Sequence, residues 1–77
     1  MNEALQSDSY SDHVAAEIRA QLGRYSITGT ELARRLGVQQ NWVSRRLSGS
    51  VVITVNDLLR ISRVLGVQPA ELCPDAR

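Results

Sequence analysis

Six polar side chains lie between residues 39 and 46 of this 77-residue chain, and no acidic residue lies among them. The amide groups of Gln and Asn can form paired hydrogen bonds with adenine, and the guanidinium of Arg can do the same with guanine. These groups also bind the phosphate oxygens of a nucleic acid. The run of these residue types therefore predicts contact with DNA. The six residues are Gln39, Gln40, Asn41, Ser44, Arg45 and Arg46.

Two short helices joined by a turn would position these side chains. Apolar residues recur at helical spacing from Leu32 to Leu36, and Val43 and Leu47 form an i, i+4 pair in the second helix. Gly37 lies between the two segments, where glycine permits a tight turn. The polar run then occupies the outer face of the second helix. This arrangement describes a helix-turn-helix, whose second helix enters the major groove.

The same stretch resembles the Cro/C1-type (XRE-like) helix-turn-helix family. The resemblance rests on the pattern Thr-x-x-Glu-Leu-Ala-x-x-Leu-Gly-Val at residues 28–38, followed by Val-Ser-Arg at 43–45 and by Gly49. Residues 58–67 resemble the fourth helix of the family and the turn after it. The resemblance covers residues 12–72. It implies an all-α, compact five-helix domain like that of lambda repressor, and a likeness to small phage Cro or immunity-type repressors.

The resemblance also implies roles for individual residues. The positions of Gln40, Asn41 and Arg45 contact bases in this family, and Ser44 lies beside them. Many members pair an Arg on helix one with a Glu. The resemblance places Arg19 at the Arg position, but Leu47 stands at the Glu position here. We expect contact with the DNA backbone from residues that surround the base-contacting set. These are Thr28, Thr30, Gln39, Trp42, Arg46 and Ser50.

Trp42 has two alternative placements. It can lie against DNA, with its ring on a sugar or a thymine methyl and its indole N–H toward a phosphate. It can instead fold over helix two and cover the core. We favour contact with DNA, because Val43 and Leu47 already occupy the core face of this helix.

The net charge of +1 is unevenly distributed along the chain. Residues 1–17 contain four acidic residues and no arginine, whereas residues 18–63 contain eight arginines and two acidic residues. A cationic middle segment suits contact with phosphates. A solvated helix surface is the alternative explanation for the polar run. It accounts less well for the absence of acids between Glu31 and Asp57.

Composition excludes several classes of protein. The length is that of one small domain, and the chain has no Phe, so its core must be aliphatic. The single cysteine, Cys73, cannot form an internal disulfide. The N-terminus is polar and acidic, unlike a signal peptide, and no apolar run approaches the ~18 residues of a membrane span. We therefore expect a cytoplasmic protein. One His, one Cys and no phosphate-binding glycine loop predict no enzyme, no cofactor and no metal site.

Local signals divide the chain into a flexible tail at 1–8, a domain at 9–73 and a second tail at 74–77. A capping box of Ser9 and Asp12 is predicted to start helix one, and Gly23 to end it in the left-handed conformation. Similar signals mark the later helices: capping boxes at Thr28–Glu31 and Thr54–Asp57, glycines at 37, 49 and 66, and Pro69 at the start of helix five.

These observations predict a sequence-specific regulator that binds double-stranded DNA. We expect a phage or bacterial repressor that occupies an operator through helix three. We expect a homodimer whose interface includes Val51, Val52 and Leu72, although Val51 or Val52 can instead pack under helix four. No membrane or small-molecule ligand is expected. The alternatives are a protein-interaction module of the same fold, antitoxin-like or anti-repressor, and a DNA-binding accessory factor in recombination.

Overall fold

The computed structural model describes the backbone of residues 3–73 and the side chains of residues 10–73. Five helices follow one another, and no strand occurs in this part of the chain. The predicted all-α five-helix domain is confirmed; the predicted tail at 74–77 lies outside the described residues. None of the described helices is long and apolar enough to cross a membrane. The helices are α1 (Glu3–Arg24), α2 (Gly29–Leu36), α3 (Gln40–Ser48), α4 (Val55–Leu65) and α5 (Pro69–Leu72).

The core is aliphatic, as the absence of Phe requires. Every helix contributes to it, and α1 supplies the largest share from one face. Leu72 of α5 is 0% exposed, so it is part of the core of the single chain. The predicted role of Leu72 in a dimer interface is therefore wrong. The residue lies where a second copy cannot reach it. The buried apolar residues are Val14, Ala15, Ile18, Leu22, Leu32, Ala33, Val43, Ile53, Leu58, Ile61 and Leu72.

The local signals at the ends of α2 to α5 are largely confirmed. The Thr54 hydroxyl accepts a hydrogen bond from the Asp57 amide, and the Asp57 carboxylate accepts one from the Thr54 amide, which completes a capping box. Thr28 caps α2 in the same way, but the Glu31 carboxylate turns to Arg34 and Arg35. The three predicted glycines, 37, 49 and 66, adopt positive φ at helix ends, and Pro69 is at the first position of α5.

Both predicted ends of α1 are wrong. The helix begins at Glu3, within the predicted tail at 1–8, so residues 9 and 12 lie inside the helix and not at its start. It also continues through Gly23 to Arg24, and the left-handed residue is Ser26, with φ of 56°. The amide of Ile27 bonds the carbonyl of Leu22 over 2.8 Å, and the amide of Ser26 bonds that of Gly23. This is a Schellman ending with serine where glycine is usual.

Candidate nucleic-acid interface

The buried side of α3 is held by α1 and α2, against which it packs. Val43 points into the core and is 2% exposed, and Leu47 packs at its edge, as predicted. The left-handed Gly37 ends α2, and the amide of Val38 then bonds the carbonyl of Ala33 over 3.0 Å. This turn directs the opposite side of α3 outward. The two helices therefore form a helix-turn-helix.

The four residues predicted to contact bases are all exposed on the outward side of α3. Asn41, Ser44 and Arg45 are spaced i, i+3 and i+4, so they share one face of the helix, and Gln40 lies one turn before Ser44. None of these four side chains forms a hydrogen bond or salt bridge with another residue among residues 10–73. Their donors and acceptors are therefore directed to solvent, where a ligand can meet them.

Several residues predicted to contact the DNA backbone surround this set. Gln39 is exposed at the N-cap of α3, and its side chain makes no capping hydrogen bond. Thr28 and Thr30 are exposed at the start of α2, where the Thr28 hydroxyl already accepts the Glu31 amide. Ser50 is exposed beyond α3, with its hydroxyl 3.1 Å from that of Ser48. These groups can donate hydrogen bonds to phosphate oxygens.

Trp42 lies partly in the core and partly at the surface, and its contact with DNA stays a prediction. It is half-buried and packs against the edge of the core. It also lines a shallow depression of about 250 Å³ on the outward side of α3. The guanidinium carbon of Arg46 lies 3.9 Å from the centroid of its ring, and that of Arg60 lies 5.5 Å away. The other residues that line the depression are Gln39, Asn41, Arg45 and Arg46.

Arg46 was predicted to extend outward, but its guanidinium turns back toward the protein. Its Nε atom lies 3.0 Å from Oδ2 of Asp57, and its Nη1 atom donates to the Trp42 carbonyl. Burial raises the pKa of Asp57, but the hydrogen bonds from Arg46 and the Thr54 amide outweigh it and hold the pKa below its ordinary value. A carboxylate held ionised in a partly buried site is a better partner for the guanidinium than water is. The guanidinium of Arg46 is therefore turned toward Asp57 and not outward, and its contact with the DNA backbone stays a prediction.

Three residues in the described chain have roles that sequence analysis missed. Arg60 of α4 donates to the carbonyl of Leu36 over 3.3 Å, close to the turn between α2 and α3. Asp57 was identified only as a capping residue, although its carboxylate also holds Arg46. Arg19, which lacks an acidic partner at Leu47, donates to the backbone carbonyl of that residue instead. No spacing within the sequence indicates these contacts, because each joins different helices.

The arginines of α2 and α3 differ in whether an acidic residue balances their charge. Glu31 is bonded by Arg34 and Arg35, in that order of effect, and these hydrogen bonds lower the pKa of Glu31 to about 2. Both arginines of α2 thus share one acid. Arg45 has no acidic partner among the described residues. It is the arginine of α3 that is available to an external anion or base.

The residues predicted to form a dimer interface are placed differently from one another. Val52 is 51% exposed, whereas Val51 is half-buried and its amide bonds the carbonyl of Arg45. Two apolar residues of α4, Val55 and Leu59, are also exposed, at 63% and 41%. They are spaced i, i+4 and follow Val52 closely in the chain. We call Val52, Val55 and Leu59 the apolar stripe.

Comparisons with known proteins agree with this geometry. A family model described as a helix-turn-helix domain matches residues 13–73. The structure of the clp gene regulator ClgR from C. glutamicum has a TM-score of 0.75 and 21% identity, and the match covers 80% of each chain. That of FeII HppE has a TM-score of 0.77 and 26% identity, and covers 88% of this chain and 36% of the other. No match was found among curated protein sequences.

The family model spans most of the chain, and its match ends one residue after α5. The likeness to ClgR extends over the same fold. The chain spans only about a third of FeII HppE, so that likeness concerns one segment of the larger protein. This chain belongs to the helix-turn-helix domain family.

Proposed function

We propose that this protein is a transcription regulator that binds double-stranded DNA in a sequence-specific manner. The observation that carries the proposal is the outward side of α3, where Gln40, Asn41, Ser44 and Arg45 are exposed without side-chain partners among residues 10–73. These residue types match the edges of adenine and guanine in the major groove. Helix-turn-helix domains present such a helix to that groove.

The proposal assigns base contacts to these four residues and backbone contacts to the residues around them. The exposed hydroxyls and amide of Thr28, Thr30, Gln39 and Ser50 can donate to phosphates. The indole edge of Trp42, at the border of the depression, is a further backbone contact. The likeness in fold to ClgR, a clp gene regulator, supports a role in gene regulation.

We further propose that the protein is a phage or bacterial repressor acting in the cytoplasm. A small domain that occupies an operator hinders the transcription machinery without needing a further surface to recruit it. A match to a family of DNA-binding domains supports occupation of DNA. Repression is the simplest regulatory consequence of that occupation.

A homodimer is part of the proposal. One recognition helix reads only a few base pairs, and two-fold operators match two-fold proteins. The apolar stripe offers a surface for a second copy, because its three aliphatic side chains are exposed, two of them on one face of α4 and the third in the loop before it. Pairing there would replace the predicted contribution of Leu72, which is buried.

The test is selection of duplexes that bind from a random pool, at two salt concentrations, followed by sequencing. We expect one enriched motif with an inverted repeat, because a dimer presents two copies of α3. Binding that depends on salt but enriches no motif would contradict sequence-specific regulation. A motif without a repeat would retain the regulator and contradict the dimer.

A protein-interaction module of the same fold is the second candidate function. The likeness to a segment of FeII HppE supports this candidate, because the matched segment is 36% of that larger chain. The same helical fold therefore occurs within a larger protein, and a fold alone does not specify a function. This candidate predicts no enriched duplex. A recombination accessory factor would also enrich a motif, but its sites would lie beside recombination sites in place of promoters.

A further inference from the structure

Four side chains from α3 and α4 form one contact group, which we call the Trp42 cluster: Trp42, Arg46, Asp57 and Arg60. The guanidinium of Arg46 lies over the Trp42 ring and also bonds Asp57. Arg60 approaches the same ring from α4. At the edge of the proposed DNA-binding surface, two guanidinium groups thus contact one aromatic ring, and one of them also bonds a carboxylate. Such cation–ring contacts are stabilising when partly desolvated.

The Trp42 cluster joins two helices that share only α2 as a main packing neighbour. α3 lies chiefly against α1 and α2, and α4 lies against α2 and α5. Oδ2 of Asp57 accepts hydrogen bonds from Arg46 of α3 and from the Thr54 amide at the start of α4. One oxygen atom therefore connects the recognition helix to the first turn of α4.

The guanidinium of Arg46 is poorly placed to bind phosphate. The side chain of Arg46 is 18% exposed, and that of its partner Asp57 is 11% exposed. Its charge is already balanced by a carboxylate at 3.0 Å. To reach a phosphate, it would have to leave both Asp57 and the ring. Arg45, the next residue, is exposed and has no such partner among the described residues.

We infer that Arg46 is a positioning residue for DNA recognition and not a phosphate ligand: it lies over Trp42 of its own helix and bonds Asp57 of α4, and this bond fixes the orientation of α3, and so the directions of Asn41 and Arg45. The inference rests on the proposed function. Asn41 and Trp42 are adjacent in the chain, as are Arg45 and Arg46. A rotation of α3 that breaks the Trp42 cluster would therefore displace both base-reading side chains.

Two substitutions separate positioning from phosphate contact. Arg46→Lys keeps the charge but cannot stack or bond as a planar guanidinium does, and Arg46→Met removes the charge. If Arg46 is a phosphate ligand, the Arg46→Lys variant should retain the affinity of the wild type. The Arg46→Met variant should then lower the slope of log affinity against log salt by about one. For a positioning residue, both should weaken binding to the selected duplex about tenfold with the slope unchanged. Either phosphate-ligand result would overturn the inference.

The Asp57→Asn variant distinguishes positioning from a pure charge effect, because the two predict opposite changes in affinity. Removal of an acid near DNA should strengthen binding if charge alone matters, whereas loss of the Arg46 partner should weaken binding to the selected duplex. Thr54→Ala is the matched control. It removes the hydroxyl that caps Asp57 but leaves the Arg46–Asp57 pair, so affinity should be retained. Stronger binding by Asp57→Asn would overturn the inference, as would equal losses in the two variants.

The fluorescence of Trp42, the single tryptophan of the chain, tests the cluster in the absence of DNA. Arg46→Met and Arg46→Lys should each shift the emission of the folded protein, with folding checked by circular dichroism. Unchanged emission in both variants would overturn the inference. If the wild-type protein enriches no duplex, the proposed function fails. An emission shift would then still show that Arg46 contacts the ring.

Discussion

The hydroxyl oxygen of Ser11 accepts a hydrogen bond of 2.9 Å from the backbone amide of Ile53, 42 positions away in the chain. Both residues are buried, at 3% and 2% exposure. The bond joins the middle of α1 to the loop between α3 and α4. Because that loop leads from the recognition helix to Asp57, the bond helps to hold the support of the proposed DNA-binding surface.

Ser11→Ala should destabilise the protein. The Ile53 amide would remain buried without a partner, at a cost of about 1–3 kcal/mol in the free energy of unfolding. Denaturant unfolding followed by circular dichroism measures this cost. Ser44→Ala, an exposed serine of α3, is the control and should change stability by less than about 0.5 kcal/mol. Equal effects of the two substitutions would show that the buried bond has no special weight.

Arg45→Ala should relax the sequence preference of binding at one base pair. Loss of a paired hydrogen bond to a base edge costs about 1–3 kcal/mol at that position. Competition binding with duplexes that differ from the selected motif by single base pairs measures the preference. Arg63→Ala removes an exposed arginine of α4 and should leave the preference unchanged. A profile for Arg45→Ala identical to the wild type would exclude base contact by Arg45.

Glu31→Gln should lower stability near neutral pH and lose its effect in acid. The pKa of Glu31 is lowered from 4.5 to about 2 by Arg34 and Arg35. A lowered pKa in the folded state means that ionised Glu31 stabilises the fold above pH 4.5, and that this stabilisation is lost as the pH falls toward 2. Melting temperatures of the two proteins should therefore differ more at pH 7 than at pH 3.

The control for this pH effect is the same substitution in a chain that also carries Arg34→Gln and Arg35→Gln. Glu31 has lost both partners there, so Glu31→Gln should change the melting temperature less at pH 7. A difference that is constant between pH 7 and pH 3 would mean that the ion pairs do not contribute to folding.

Val52→Asp should convert a dimer to a monomer. It places a charge in the apolar stripe, where a second copy would have to bury it without a partner. Sedimentation equilibrium measures the mass in solution. Tyr25→Asp is a closely matched control, since Tyr25 is 52% exposed and Val52 is 51% exposed. If both variants and the wild type have the same mass, the apolar stripe is not a dimer interface.

Most helix ends were predictable because they depend on short-range interactions. A Thr cap and the amide three residues later, or a glycine at positive φ, involve neighbours within one turn. The predictions at Thr54, Gly37, Gly66 and Pro69 are confirmed for this reason. The predicted end of α1 at Gly23 failed because a Schellman ending formed three residues later, with Ser26 accepting a conformation that usually favours glycine.

The candidate site was predictable only in part. Val43 and Leu47 define the inward face of α3, and helical geometry then requires Asn41, Ser44 and Arg45 to lie on the other side. Their exposure follows from that geometry. The direction of a long side chain at the border of the two faces does not follow, because it depends on which partners from other helices lie within reach.

The sequence by itself determined the five helices, the turn at Gly37 and the polar outward face of α3, since capping, backbone conformation and apolar spacing act over a few residues. Two features depend on packing between helices: Arg46 turns to Asp57, eleven residues away, and Leu72 fills the core. The reason is that packing brings distant residues together. A buried carboxylate or an apolar cavity then selects among side chains that are equivalent by helical spacing alone.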